Sequence, residues 1–257
     1  MSWETGNQIP RKKEFISNED LLKKKGFLEE REAKLLFYEF LRNNTTFATD
    51  LITGVQLFPF QHMAIKSMLE SDYFLGVWSR GMSKSYTTGI YAVLDAILNQ
   101  GVETGILSRS FRQSKMIFKK IEDIAAKPEA YLLKQCITHV SKSNDEWVME
   151  IGKSRIRALP LGDGEKLRGF RFHRIIIDEF LLMPERIYNE VIVPFLSVVQ
   201  NPTQREELYQ AENNLIKQGK MEEKDRHQWP NNKLIALSSA SFKFEYLYKL
   251  YEQYENL

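Results

Sequence analysis

The sequence predicts an α/β fold with a mainly parallel sheet covered by helices on both faces, and three observations lead there. Short apolar runs alternate with stretches of helical periodicity, which implies parallel strands joined by crossover helices. The first such strand and helix are joined by a turn carrying Gly81 and the dipeptide Lys84-Ser85. A later run, Arg174-Ile-Ile-Ile, ends in the carboxylate pair Asp178-Glu179.

Residues 1–50 are polar and charged, and 14–42 read as one or two helices with Leu28, Leu35, Leu36, Tyr38 and Leu41 among their apolar positions. A helical N-terminal arm is therefore expected ahead of a domain at 51–257. Residues 73–78 form a short apolar strand, and after the Gly81 turn Tyr86, Ile90, Val93, Leu94, Ile97 and Leu98 recur at helical spacing. Residues 104–108 read as the next strand and 111–125 as the next helix, with Phe111, Ile117, Phe118, Ile121 and Ile124 on its apolar side. The runs 147–151 and 155–159 flank Gly152-Lys153-Ser154 and predict a hairpin. Further buried strands are expected at 174–177 and 234–237.

Between those last two strands, 201–232 is weakly hydrophobic, with Leu208, Ala211 and Leu215 giving a helical stripe among many charges. It reads as a charged insertion or small lid-like subdomain, or as a solvated surface helix. Residues 246–254 predict a closing helix, and 242–257 would lead from it into a linker.

The composition bounds the function classes. With 257 residues, 43% hydrophobic and 27% charged, the chain can bury a substantial core and has no signature of disorder. Its 36 basic and 34 acidic side chains nearly balance, so charge alone does not point to nucleic acid. Cys136 is the only cysteine, which excludes an intrachain disulfide and a cysteine-based zinc cage; it is expected to be buried in a protein of a reducing cytosol. No apolar run has the length of a membrane span and the N-terminus lacks a signal-peptide plan, so no membrane association and a cytoplasmic location are expected.

The chemistry concentrates in two places. A lysine followed by a hydroxyl at the start of a helix, just after a strand, is what polyphosphate binding needs: backbone N–H groups wrap the phosphate oxygens and the helix N-terminus supplies positive potential. Lys84 would reach the β- and γ-phosphates and Ser85 would ligate Mg²⁺. The strict pattern G-x-x-x-x-G-K-[ST] wants glycine at Trp78 and Ser83, and neither is glycine. At the acidic pair, the first carboxylate, Asp178, would hold the metal ion and the second, Glu179, would act as general base on the attacking water. Together these motifs predict a P-loop NTPase of the ASCE type using ATP and Mg²⁺. No Asn-Lys-x-Asp sequence occurs, which disfavours a GTPase.

With those residues in place, 57–254 resembles the large terminase subunits of tailed bacteriophages. The loop Ser79-Arg-Gly-Met-Ser-Lys-Ser85 is similar to their deviant Walker A, so Ser79, Arg80, Gly81, Met82 and Ser83 join Lys84 and Ser85 as nucleotide-binding candidates. Leu57-Phe-Pro-Phe-Gln61 resembles the adenine-recognition motif and assigns base recognition to Gln61. The strand ending Leu234-Ile-Ala-Leu-Ser-Ser resembles the coupling motif, with Ser238 and Ser239 as γ-phosphate sensors. In 162–169 an x-Arg-Gly element resembles the one carrying an arginine finger, which makes Arg168 the trans-acting candidate; Arg80 is the candidate within its own subunit. The resemblance implies a DNA-packaging motor working in the cytoplasm of an infected bacterial host. Its partners would be double-stranded viral DNA, the portal protein and the small terminase subunit, and it would form a homo-oligomeric ring when assembled on the procapsid. No nuclease domain is expected after Tyr254. Competing readings are a superfamily-two helicase or translocase, for which the chain is short, and a nucleotide-binding scaffold without turnover.

Overall fold

Five of the apolar runs lie side by side as parallel strands in the computed structural model, which describes residues 33–34, 36–162, 164, 167, 169–195, 197, 199, 202–226, 231–239 and 246–255. The strands are β1 (Tyr73–Val77), β2 (Glu103–Ser108), β3 (Ile137–Lys142), β4 (Trp147–Ile151), β5 (Ser154–Pro160), β6 (Arg174–Ile177) and β7 (Lys233–Ser238). They form a seven-stranded sheet in the order β1-β7-β6-β2-β5-β4-β3. Pairing is parallel from β1 through β5 and antiparallel across β5-β4 and β4-β3, so the predicted hairpin closes one side of the sheet. β6 and β7 are buried at every residue, as continuous apolar strands inside a sheet covered on both faces must be.

Helices α1 (Thr45–Thr53), α2 (Pro59–Glu70), α3 (Lys84–Leu98), α4 (Phe111–Ala125), α5 (Tyr131–Cys136), α6 (Pro202–Lys217) and α7 (Tyr246–Glu255) accompany the sheet. The chain divides into two units, Met1–Asn43 and Asn44–Leu257. In the first, residues 36–43 are helical. The sheet and all the labelled helices belong to the second, including α1, which runs across residue 50.

From Thr87 to Leu98 every residue of α3 is buried, so this helix is enclosed rather than amphipathic. Gly89 faces α4 closely: a Cβ there would stand 3.3 Å from the Ile121 side chain, which would have to give by a few tenths of an ångström, and at an ordinary 3.6 Å from the Ile117 carbonyl. A buried ion pair ties α3 to the sheet. Arg174, at the start of β6, donates from Nε to Asp95 Oδ2 at 2.9 Å, and from Nη1 to the His173 and Asn231 carbonyls. Both side chains are essentially inaccessible.

Two expectations need correction. In α6 the half-buried and buried positions include Leu208, Glu212 and Ile216, whereas Ala211 and Leu215 are exposed. The stripe follows i, i+4, i+8 and admits the Glu212 carboxylate, which lies 3.6 Å from Arg226 Nη1; a reading confined to apolar residues could not see it. Cys136 is half-buried at the end of α5 rather than in the core, though burial still pushes its thiol pKa up. Helix α3 begins at Lys84, the residue expected to open it.

Candidate active site

The parallel strands β1, β6 and β7 all end at one edge of the sheet, the place where α/β folds form their ligand crevice. The Trp78 N–H donates to the Ser238 carbonyl at 2.9 Å and so extends the β1-β7 ladder to the threshold of the loop. The loop then turns through Gly81, at φ 85, and Ser83, at φ 54 and ψ 32. Ser83 therefore has the left-handed conformation that the motif's usual glycine adopts freely, at a cost of about 1–2 kcal/mol for a residue with a Cβ. Its carbonyl accepts the Thr87 N–H at 3.0 Å, which makes it the N-cap of α3. The first-turn N–H groups beyond it have no acceptor within the helix, the ordinary condition for anion binding at such a terminus.

Opposite this loop, β6 delivers the acidic pair. The Asp178 N–H donates to the Leu107 carbonyl of β2, and the carboxylate accepts the Glu179 N–H at 3.0 Å. Glu179 is also left-handed, at φ 55 and ψ 51. Among the described residues, Ser83 and Glu179 are the non-glycine residues with positive φ, and both lie here. The Lys84 ammonium closes the group, 2.9 Å from Glu179 Oε1 and 3.1 Å from Asp178 Oδ1. Burial works against the charged lysine, yet its bonds to Glu179 and Asp178 outweigh that and hold its pKa above the ordinary value. Burial likewise raises the Asp178 pKa, with Lys84 pulling the other way.

A cleft of about 690 Å³ opens over this group. Every residue from Trp78 to Tyr86 lines it, joined by Glu179 and Ser239. The candidates Ser79, Arg80, Gly81, Met82, Ser83, Lys84 and Ser85 are thus brought together with Glu179. Asp178 lies behind Lys84, and Ser238 is buried beneath, its hydroxyl accepting the Leu181 N–H at 3.2 Å. The Ser85 hydroxyl and the Asp178 carboxylate are hard oxygen donors, a set that suits Mg²⁺ completed by water and phosphate oxygens.

One candidate, Gln61, stands apart from the cleft. Gln61 is buried at the N-terminal turn of α2, where its Oε1 accepts the Phe58 N–H and its Nε2 donates to Thr87 Oγ1, both at 3.0 Å. It is a capping residue clasping the back of the P-loop helix and does not line the cleft. Arg168 lies outside the described residues. Conversely, sequence reasoning missed Lys120 and Lys127, which line the cleft from α4 and the turn after it. On the polar face of an amphipathic helix, or in the turn after it, they carry no local mark separating them from solvated lysines.

No protein-family model matches the chain, and no curated protein matches it. Solved structures do. The ATPase domain of the Thermus phage P74-26 large terminase superposes with a TM-score of 0.53 at 16% identity, covering 78% of this chain and 71% of that one. The bacteriophage HK97 large terminase gives 0.55 at 15% identity over 79% of this chain and 37% of its own length. The large terminase of a thermophilic bacteriophage gives 0.50 at 14% identity, covering 77% and 44%. The chain therefore spans less than half of the latter two proteins, and at these identities the likeness bears on architecture: this chain has the P-loop α/β fold of a phage large-terminase ATPase domain.

Proposed function

We propose that this chain is an ATP hydrolase, the motor domain of a viral DNA-packaging terminase that couples Mg-ATP hydrolysis to movement of double-stranded DNA into a procapsid. The observation that carries this reading is the contact of Lys84 with both Asp178 and Glu179, next to a loop in which Ser83 is left-handed. A lysine that neutralises phosphate, a buried carboxylate and a half-exposed carboxylate within one cleft are the parts that phosphoryl transfer to water requires. The fold likeness to phage large terminases supports the same assignment.

The residues divide the work by position. Lys84 exchanges its carboxylate partners for the β- and γ-phosphate oxygens. Ser85 and Asp178 would hold Mg²⁺, which would supply positive charge to offset the charge that builds on the phosphate oxygens. Glu179, more accessible than Asp178, orients the attacking water and takes up its proton. Ser239 lines the cleft, where it would sense the terminal phosphate, and the Ser238 hydroxyl beside it accepts the Leu181 N–H. Arg80 reaches the nucleotide within its own subunit, and Arg168 is assigned to a neighbouring subunit's site in an assembled ring. Adenine recognition by Gln61 would require it to exchange its bonds to Phe58 and Thr87. DNA, the portal protein, the small terminase subunit and the host cytoplasm complete the setting.

Phosphate release by the purified chain, with and without Mg²⁺, tests the reading beside a Glu179→Gln control. The expected result is Mg²⁺-dependent release by the wild type, and ATP binding without release by the variant. Equal release from both proteins would overturn the assignment. ATP binding by the wild type without any release, even with DNA and portal present, would favour a scaffold without turnover.

A further inference from the structure

The phosphate-binding loop accounts for only one wall of the cleft. Tyr86 from the first turn of α3, Lys120 from α4 and Lys127 from the turn after it also line the cleft, and they were not among the motif residues. Two packing contacts bear on where those side chains stand. Gly89 lies on the face of α3 that meets α4, and a Cβ there would be in ordinary contact, 3.7 Å, with the Cβ of Lys120. Gly54 ends α1 at φ 62, and a Cβ on it would come within 2.7 Å of the Glu129 backbone, so the turn following Lys127 is pressed against the end of α1.

Charge balance separates the two groups. Lys84 is matched by Asp178 and Glu179, whereas Lys127 has no carboxylate partner among the described residues. Instead its ammonium lies 5.9 Å from the centre of the Tyr86 ring, within cation–π range. Lys120 meets only Asp123, at 3.4 Å, in an exposed pair of the kind that contributes little. With Arg80, the cleft carries four cations against one lining carboxylate, Glu179. A ligand that fits has several negative charges at one end and a flat ring at the other.

We propose that Tyr86, Lys120 and Lys127 form the nucleoside-side half of the site, the Tyr86 ring packing against the base and the two ammonium groups donating to the α-phosphate and ribose oxygens. This rests on the nucleotide reading above, which puts the terminal phosphates at Lys84. Tyr86 follows two residues later in the first turn of α3, and α4 runs alongside, so a nucleotide anchored at Lys84 extends along that turn toward all three side chains. The cleft then binds the nucleoside by stacking and charge.

Isothermal titration of the whole chain with ATP, and separately with inorganic tripolyphosphate, tests the division. Lys84→Ala should weaken both ligands. Tyr86→Ala should weaken ATP about tenfold and leave tripolyphosphate unchanged, because the lost contact is with the base, and Tyr86→Phe should restore ATP affinity. The double variant Lys120→Ala/Lys127→Ala should weaken ATP about tenfold or more, and the Lys→Arg pair should recover most of it. A thermal melt on each variant checks folding; Tyr86 is half-exposed and both lysines are at the surface, so truncation leaves the core intact. If the wild type binds ATP while both the Tyr86→Ala and double-lysine variants bind it equally well, this inference is overturned and the nucleotide site stands. If Tyr86→Ala weakens both ligands alike, the ring supports the loop and does not meet the base, which also overturns it. Failure of the wild type to bind either ligand overturns the nucleotide reading and this inference with it.

Discussion

Lys84 and Glu179, 95 residues apart in sequence, form a 2.9 Å hydrogen bond at the mouth of the cleft. The same ammonium reaches Asp178, so the loop's cation and both strand-end acids constitute one electrostatic unit. Lys84→Ala should abolish phosphate release and weaken ATP binding at least tenfold, measured by titration and by phosphate assay. It should also lower stability at neutral pH, since a buried Asp178 left without its counter-charge is costly. Wild-type turnover in a folded Lys84→Ala protein would remove the lysine from the mechanism.

Ser83 occupies a left-handed position that glycine takes without strain. Ser83→Gly should therefore stabilise the protein by about 1 kcal/mol, a rise of about 2–4 °C in the thermal midpoint, with ATP affinity retained. A fall in the midpoint would mean that the serine side chain contributes more than the backbone strain costs.

The Asp95–Arg174 pair binds the P-loop helix to the strand that presents the acids, with both side chains excluded from water. Asp95→Ala leaves the Arg174 charge buried and should cost about 3–5 kcal/mol in urea unfolding. Replacing both partners with apolar residues of similar size should recover much of that loss, because no unpaired charge remains. A neutral effect of the single substitution would show that Arg174 finds water or another partner.

His173 precedes that arginine, and its Nδ1 accepts the Glu103 N–H at 3.0 Å. Burial, with the nearby Arg174 and Arg205 charges, lowers its pKa from 6.5 to about 4. Between those values the unfolded chain binds a proton that the folded protein does not, so the contribution is present above pH 6.5 and is lost as pH falls toward 4. Urea midpoints should decline across that window. His173→Asn, whose amide oxygen can take the Glu103 N–H, should flatten the decline. An imidazole titrating near 6.5 by NMR in the folded protein would contradict this.

Much of the fold was legible because local patterns encode it. The apolar runs at 104–108, 147–151 and 174–177 and the periodicity of 111–125 coincide with strands and a helix to within a residue, since burying a strand or a helix face imposes its own spacing. The order of strands was not legible, because β1 pairs with β7 across the whole domain and nothing in either run names its partner. The α6 stripe misled for a related reason: whether Glu212 is buried depends on Arg226, which only the folded chain brings near.

The sequence by itself determined which residues form the loop and the acidic strand end, because each motif is a short run whose chemistry is local: Lys84-Ser85 opening a helix, Asp178-Glu179 ending an apolar strand. Tertiary structure alone decided that Gln61 clasps Thr87 away from the cleft, that Ser83 takes the glycine conformation, and that Lys120 and Lys127 face the same space as Lys84. A polar side chain's role depends on which partners surround it. Those partners are set by packing between elements distant in the chain, here by α4 lying against Gly89 and by the turn after Lys127 pressed on Gly54.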